Sequence, residues 1–360
     1  MSSRLQTASA VMIAFAERTG VSAPLPPRRY LWTDAFAVCN FLGLARATQD
    51  RRHLELALAL VDQVHHVLGR HAAAGARGGW LSGLGDLEGE QHPTRGGLRI
   101  GKPLPERGPD ERYDPRAEWD RDGQYFHYLT RWMHALDQVA RHTGQPHFRE
   151  WARELADVAH DAFVEPGGRH MVWKKSVDLS RTLVPSMGHH DPLDGCLTAR
   201  QVGADRAAGG FERLMRGRDW STSDALGLGG LMIDALRADQ LAAGSPLVDE
   251  LIDAAARGLR DLFASGELEA SPSRRLAFRE LGLSIGLRAV GLLIARRRRT
   301  ASPSLRRIAS QAGLAEDLET LWSRPDLRKS PLWLEHQDIN DVMLATSLQP
   351  EGYLLVGSPI

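Results

Sequence analysis

The sequence predicts an all-α protein built as a ring of six helical hairpins, and three observations carry that expectation. Helical periodicity dominates the 360 residues, and its segments follow one another in pairs. Segments apolar on nearly every side alternate with segments that keep a polar face. The first kind must be surrounded by protein, whereas the second can meet water. No stretch alternates strongly enough to suggest a sheet-based domain.

Residues 6–19 read as a first helix, closed by Gly20 and the proline-rich "APLPP". "TDAFAVCNFLGLARAT" (33–48) is apolar on most sides, and "RRHLELALALVDQVHHVLGR" (51–70) is amphipathic. Residues 74–119 are crowded with Gly and Pro and lack helical periodicity. Loops of that length inside a compact domain usually carry function or are disordered, so a lid or subsite wall is expected here.

The periodic pattern resumes with a largely apolar helix over 122–144 and an amphipathic one over 146–163. "GGRHMVWKKSVDLS" (167–180) reads as extended, a short hairpin. A helix then starts near Pro192, followed by a shorter one around 211–217. Segments 221–243 and 245–265 form the next pair, 273–297 and 302–323 another, and 335–349 closes the chain. The twelve helices give six buried members, starting near Asp34, Gly123, Pro192, Asp224, Arg274 and Glu335, in a single domain over 1–360. Mid-helix glycine is costly, so Gly227, Gly229, Gly230, Gly282 and Gly286 predict close backbone packing of the inner helices.

Composition narrows the function. Lys plus Arg equals Asp plus Glu, at 45 each, and the pI is about 7.3. That neutrality excludes a general affinity for nucleic acid or anionic membrane. The one basic block, Arg296 to Arg299, ends an apolar helix, where cations complement the macrodipole. Cys39 and Cys196 are the only cysteines and make no disulfide framework, as in a reducing cytoplasm. The apolar run after Arg4 is short, and "ERTG" reads as a helix end rather than a signal-peptide cleavage region. No apolar stretch approaches the ~20 residues of a membrane span. A soluble, cytoplasmic protein is expected.

This alternation of twelve helices over nearly the whole chain resembles the six-hairpin glycosidase superfamily, the (α/α)6 toroids that include glycoside hydrolases, polysaccharide lyases and sugar epimerases. The resemblance is one of architecture; no catalytic motif of the family matches residue by residue, so it assigns no catalytic residue. Lanthionine cyclases and prenyl or terpene transferases are less similar, because the Cys/His zinc spacing of the first and the aspartate-rich box of the second are missing.

In such a ring the loops leading into the buried helices gather at one mouth. Here they are also the richest in chemistry: "YLWTD" (30–34), "EWDRDGQYFHY" (118–128), "GHHDPLDG" (188–195), "DWSTSD" (219–224), "FRELG" (278–282) and "WLEHQDIND" (333–341). Capping explains part of this. Asp191 before Pro192 has the signature of an N-cap with proline at N1 and Asp194 near N3. Ser221 to Asp224 approaches a capping box, and Thr33 can cap the helix containing Asp34. Capping leaves His189, His190 and His336 unexplained.

Zinc needs three or four converging ligands, and adjacent histidines on an extended segment point apart, so no metal or other cofactor is expected. Contacts to substrate hydroxyls and proton transfer suit the imidazoles better. Trp32, Trp119, Tyr125, Trp173, Trp220 and Trp333 supply aromatic faces of the kind that stack on sugar rings, although tryptophan is as readily core. Glycoside cleavage needs one protonated and one ionised carboxyl. Glu280, in a nearly all-apolar stretch beside Arg279, is the expected acid, since desolvation raises a carboxyl pKa; a buried Glu–Arg ion pair is the competing reading. Asp338 is the expected base, with Asp341 one turn on and Asp34 and Asp224 as alternates. The leading expectation is a glycoside hydrolase acting on a short saccharide or unsaturated uronide. A sugar epimerase using His190 and His336, and a noncatalytic carbohydrate-binding or scaffold toroid, are the alternatives.

Overall fold

A computed structural model describes residues 2–72 and 77–356. In chain order it contains α1 (Ser3–Arg18), α2 (Leu31–Thr48), α3 (Arg51–Leu68), α4 (Asp86–Gln91), α5 (Pro115–Asp120) and β1 (Gln124–Tyr125). Next come α6 (Phe126–Thr143), α7 (His147–Phe163), β2 (Lys174–Lys175), β3 (Thr182–Val184), α8 (Asp191–Val202) and α9 (Asp205–Met215). Then follow α10 (Ala225–Leu241), α11 (Leu247–Ser265), α12 (Ala277–Arg296), α13 (Pro303–Ala309) and α14 (Ala312–Ser323). The short α15 (Pro325–Arg328) and α16 (Pro331–Glu335) lead to α17 (Gln337–Leu348) and α18 (Glu351–Leu354).

The chain groups into two compact units. The first comprises the described parts of Met1–Phe15, Gly43–Asp50 and Gly217–Ile360; the second comprises Ala16–Leu42 and Arg51–Arg216.

In the first unit α12 is the central element, packed on α10, α13, α14 and α17, with α10 also against α11. Of the glycines expected to allow close packing, Gly229, Gly282 and Gly286 do so at the α10–α12 crossing, whereas Gly227 faces the Thr222 and Asp224 side chains just before its own helix. A Cβ on Gly229 would lie 2.0 Å from the Gly282 carbonyl oxygen, and one on Gly286 would lie 2.6 Å from the Gly229 Cα. Gly230 instead faces open space. The helix expected over 302–323 is broken into α13 and α14. At the break the Ser310 hydroxyl donates back to the Arg307 carbonyl (2.7 Å), a local bond that competes with the helical ladder.

In the second unit α6 packs against α7 and α8, and α8 against α9. The hairpin expected over 167–180 lies slightly later in the chain, as β2 with β3. The sheet is antiparallel in order β1-β2-β3, with Gln124 opposite Lys175 and Tyr125 opposite Lys174. A strand of two residues is too short to show alternation in the sequence, so the addition of β1 to the hairpin was not expected.

The long segment needs dividing. Residues 74–76 lie outside the described residues. Leu98 and Ile100 are fully buried. The Gln124 side chain accepts from Leu98 N (2.8 Å) and donates to the Gly96 (3.0 Å) and Val177 (2.7 Å) carbonyls. Arg99 donates to the Arg70 and Val67 carbonyls (2.8 and 2.6 Å) and pairs with Asp122. The segment around 94–102 is therefore anchored wall, and the continuously exposed stretch is 109–116. Among the described residues, no helix is long and apolar enough to cross a membrane.

Candidate active site

The second unit gathers the richest chemistry. Asp114 caps α5 by accepting from Arg116 N (2.8 Å) and Ala117 N (3.1 Å), with Pro115 in the first turn. This short helix carries Glu118 inward and Trp119 outward, the indole 52% exposed. Glu118 is buried and receives Lys174 Nζ (2.9 Å) and Arg107 Nε (2.9 Å). Lys174 Nζ also donates to the Glu118 and Arg121 carbonyls, both at 2.8 Å, so its buried charge is fully satisfied.

Around Trp119 lies an aromatic cluster. Its ring centroid stands 6.4 Å from those of Tyr125 and Trp173, which are 5.2 Å from each other. Trp173 stacks on His127, the planes 15° apart, and its indole N–H donates to His127 Nδ1 (2.9 Å). Burial, with Arg131 adding to it, pushes the His127 pKa down to about 3, so this imidazole is neutral and serves as an acceptor. Tyr125 meets Tyr128 at 5.2 Å, and the Tyr128 and Tyr30 hydroxyls share a short hydrogen bond. Lys102 Nζ stands 5.4 Å from the Tyr30 ring and 5.1 Å from the Trp119 ring.

From His127 the helix α6 leads to the histidine–aspartate turn. The Thr130 hydroxyl binds the His127 carbonyl (2.9 Å) and Asp194, and Arg131 Nη1 binds Asp194 at 3.0 Å. Asp191 is buried and accepts from Gly188 N (3.1 Å). A Cβ on Gly188 would come within 2.4 Å of that carboxylate, so the glycine makes room for it. Burial raises the Asp191 pKa to about 7, with the Asp194 charge adding to the effect. His190 is half-buried and His189 exposed.

Three expectations are corrected here. Asp191 is the first helical residue rather than the N-cap; His190 occupies the cap position without a side-chain cap bond. Asp194 serves α6 instead of the helix start. The two histidine rings do not point apart: a turn replaces the extended segment, and their centroids lie 4.6 Å from each other. Among the described residues no three His, Cys, Asp or Glu side chains group to hold a metal ion.

Asp34, also in this unit, is buried. It accepts from Tyr30 N (2.9 Å) and faces Arg29 Nη1 at 3.4 Å. Thr33 lies inside α2, which begins at Leu31, so Thr33 is not its cap. Trp32 is 7% exposed against Phe36, with centroids 4.4 Å apart. It is core and offers no face to a sugar.

The first unit holds the other candidates, most of them in structural bonds. Glu280 is 5% exposed and takes both arms of Arg275 (2.6 Å each) together with the Trp322 indole N–H (2.8 Å). Its cation is Arg275; Arg279, the neighbour in sequence, reaches Asp224 instead (2.7 Å). Asp224 is the N-cap of α10, accepting from Gly227 N at 2.8 Å, so Ser221 is not the cap. Asp341 is buried against Arg328 (3.2 Å). Asp338 is half-buried in the first turn of α17.

Trp220 is 1% exposed and donates to Glu250 (2.9 Å), and Trp333 is 2% exposed; both are core rather than sugar platforms. His336 links α16 to α17 and meets the Phe278 ring edge at 5.7 Å. It lines a small cavity with Arg275, Trp322, Trp333 and Asn340.

Sequence reasoning missed Lys102, Tyr30, His127 and Tyr128 as members of the aromatic cluster. Three of them stand in stretches already marked as chemically rich. Lys102 carried no sequence signal beyond its place after Gly101.

No protein-family profile matches the chain, and no curated protein matches it by sequence. Solved structures do match. A D-mannose isomerase is 12% identical, with 97% of this chain and 98% of that one covered, at a TM-score of 0.58. A cellobiose 2-epimerase from Spirochaeta thermophila is 12% identical, with 88% and 86% covered, at a TM-score of 0.50. The chain thus has the (α/α)6 toroid fold, the six-hairpin glycosidase-like architecture.

Proposed function

We propose that this protein is a carbohydrate-active enzyme that rearranges a reducing sugar by proton transfer, as an epimerase or aldose–ketose isomerase. The observation that carries the choice over glycoside hydrolysis is the Arg275–Glu280–Trp322 clamp. Hydrolysis needs a carboxylic acid free to protonate a leaving group, and both oxygens of this carboxyl are already engaged by a bidentate guanidinium and an indole. Asp34 and Asp224 are similarly occupied by Arg29, Arg279 and helix-start amides.

The second unit offers what rearrangement requires. A base takes the proton from carbon 2 of the open-chain aldose while an acid protonates the carbonyl oxygen, giving an enediol. Return of a proton to the opposite face of carbon 2, with loss of the proton on oxygen 1, yields the epimer. Delivery to carbon 1, with loss of the proton on oxygen 2, yields the ketose. A group with a pKa near the working pH serves best in either role, and Asp191, near 7, has that property. His190, beside it in sequence, is the second acid/base, and Trp119, with Trp173 behind it, is the sugar platform. That an isomerase and an epimerase are among the solved structures this chain resembles supports the same reading.

The test is proton NMR in D2O with a panel of reducing mono- and disaccharides. The expected result is a single isomeric product carrying deuterium at carbon 2 or carbon 1. Cleavage of an aryl glycoside into two products, or recovery of every sugar unchanged, overturns the proposal.

A further inference from the structure

Lys102 has the placement of a recognition group. The backbone leading into it is held: Ile100 N donates to the Gly123 carbonyl (2.8 Å), and Gly101 N donates to Asp122 Oδ1 (3.0 Å). Gly101 itself has a positive φ of 91°, and a Cβ there would lie 2.2 Å from the Arg29 carbonyl oxygen. The backbone at this point therefore has little freedom, and the lysine stem starts from a defined place.

Its ammonium lies against two aromatic rings, Tyr30 and Trp119. Among the described residues no carboxylate stands within ion-pairing distance of it. The contrast with Lys174, which lies over the Tyr125 ring of the same cluster, is direct: that ammonium is spent on Glu118 and two carbonyls. Asp120 and Asp122 act on Lys102 at longer range and Lys174 opposes them; Asp122 is itself paired with Arg99. A half-buried cation supported mainly by ring faces has unused donors, and they adjoin the exposed indole of the sugar platform.

We infer that the substrate of this site is an anionic sugar, a sugar acid or sugar phosphate, whose charged group is received by Lys102 at the edge of the Trp119 platform. The inference rests on the sugar platform of the proposed function and adds the charge of its substrate. A charge-assisted bond from an ammonium to a carboxylate or phosphate is stronger than a neutral one, and the partly desolvated position reduces screening.

The test is calorimetric titration of the full chain with glucuronate, glucose 6-phosphate and glucose at low ionic strength. At least one of the two anions is expected to bind about tenfold more tightly than glucose, in keeping with one charge-assisted contact. The one preferred distinguishes a carboxylate from a phosphate substrate. Lys102→Met, checked for folding by circular dichroism, is expected to abolish the preference, and Lys102→Arg to keep it. Equal affinity for glucose and both anions, no measurable binding of either anion, or a preference that survives in Lys102→Met overturns the inference. Because the readout is binding, it separates the two proposals. Anion preference that depends on Lys102 without any rearrangement of sugar sinks the proposed function and leaves this inference standing. Rearrangement of neutral sugars with no anion preference does the reverse.

Discussion

Two buried carboxylates, Glu280 at the start of α12 and Asp191 at the start of α8, differ in what surrounds them: the first was the expected acid, and the second was read from the sequence as a helix cap. Glu280 receives three hydrogen bonds from Arg275 and Trp322. Asp191 receives one from a backbone amide and faces the charge of Asp194. The first arrangement neutralises a buried charge, and the second makes ionisation costly. A carboxylate whose charge is fully matched stabilises its surroundings and is chemically inert. One left with a cost near neutrality can exchange a proton there. Burial alone therefore does not mark an active carboxyl; the identity of its partners does.

The largest expected effect breaks or confirms this contrast at Asp191. Asp191→Asn is expected to lower kcat by about 10²- to 10⁴-fold, the usual contribution of a general acid or base, and His190→Asn similarly. The same Asp191→Asn variant is expected to be more stable than the parent. The folded-state pKa near 7 lies above the unfolded value of about 3.9. Between those values the folded chain holds a proton that the unfolded chain has lost. Stability therefore falls as pH rises through this window, and the penalty is complete above pH 7. Denaturant titrations at pH 5 and pH 8 are expected to show a gain on the order of 2–4 kcal/mol for Asp191→Asn at the higher pH, and less at the lower. No gain at pH 8 would remove Asp191 from the proposed chemistry.

At Glu280 the opposite pattern is expected. Arg275→Met leaves a buried carboxylate without its cation and is expected to cost about 3–5 kcal/mol of stability. The double variant Arg275→Met/Glu280→Gln is expected to recover part of it. Turnover of the correctly folded fraction is expected to be nearly unchanged in Glu280→Gln. A collapse of kcat in that variant with an unaltered melting temperature would restore Glu280 as the acid and hydrolysis as the reaction.

Two smaller effects sharpen the comparison. Gly229→Ala, which places a methyl against the Gly282 carbonyl, is expected to cost about 1–3 kcal/mol by overpacking. That loss appears in denaturation midpoints without a change in substrate preference. Trp119→Ala, at an exposed platform, is expected to raise KM about three- to tenfold, the scale of one aromatic contact. Its effect on stability is expected to be within about 0.5 kcal/mol, as for exposed positions generally.

The aromatic cluster shows how much of the site was legible in advance. Trp119, Tyr125 and Trp173 were singled out by residue type and place, and they do meet. Trp32, Trp220 and Trp333 satisfied the same criteria and are core, because nothing in a sequence tells whether an indole at a helix start has a neighbour over its face. The two Asp-Pro steps make the same point. Asp114 before Pro115 caps its helix, whereas Asp191 before Pro192 turns its carboxylate back to Gly188. Identical local signatures diverge because Asp191 has a buried environment supplied by α6, which lies far away in the chain.

The sequence by itself determined the helical class, the pairing of buried and amphipathic helices, and the glycine-lined approach of α10 to α12. These follow from periodicities and residue sizes that act within one or two turns of chain. Tertiary structure decided the partner of every buried charge: Arg275 rather than Arg279 for Glu280, a backbone amide for Asp191, two aromatic rings for Lys102. Electrostatic energies depend on distances and desolvation set by distant segments, so chemical roles emerge only once those segments are in place.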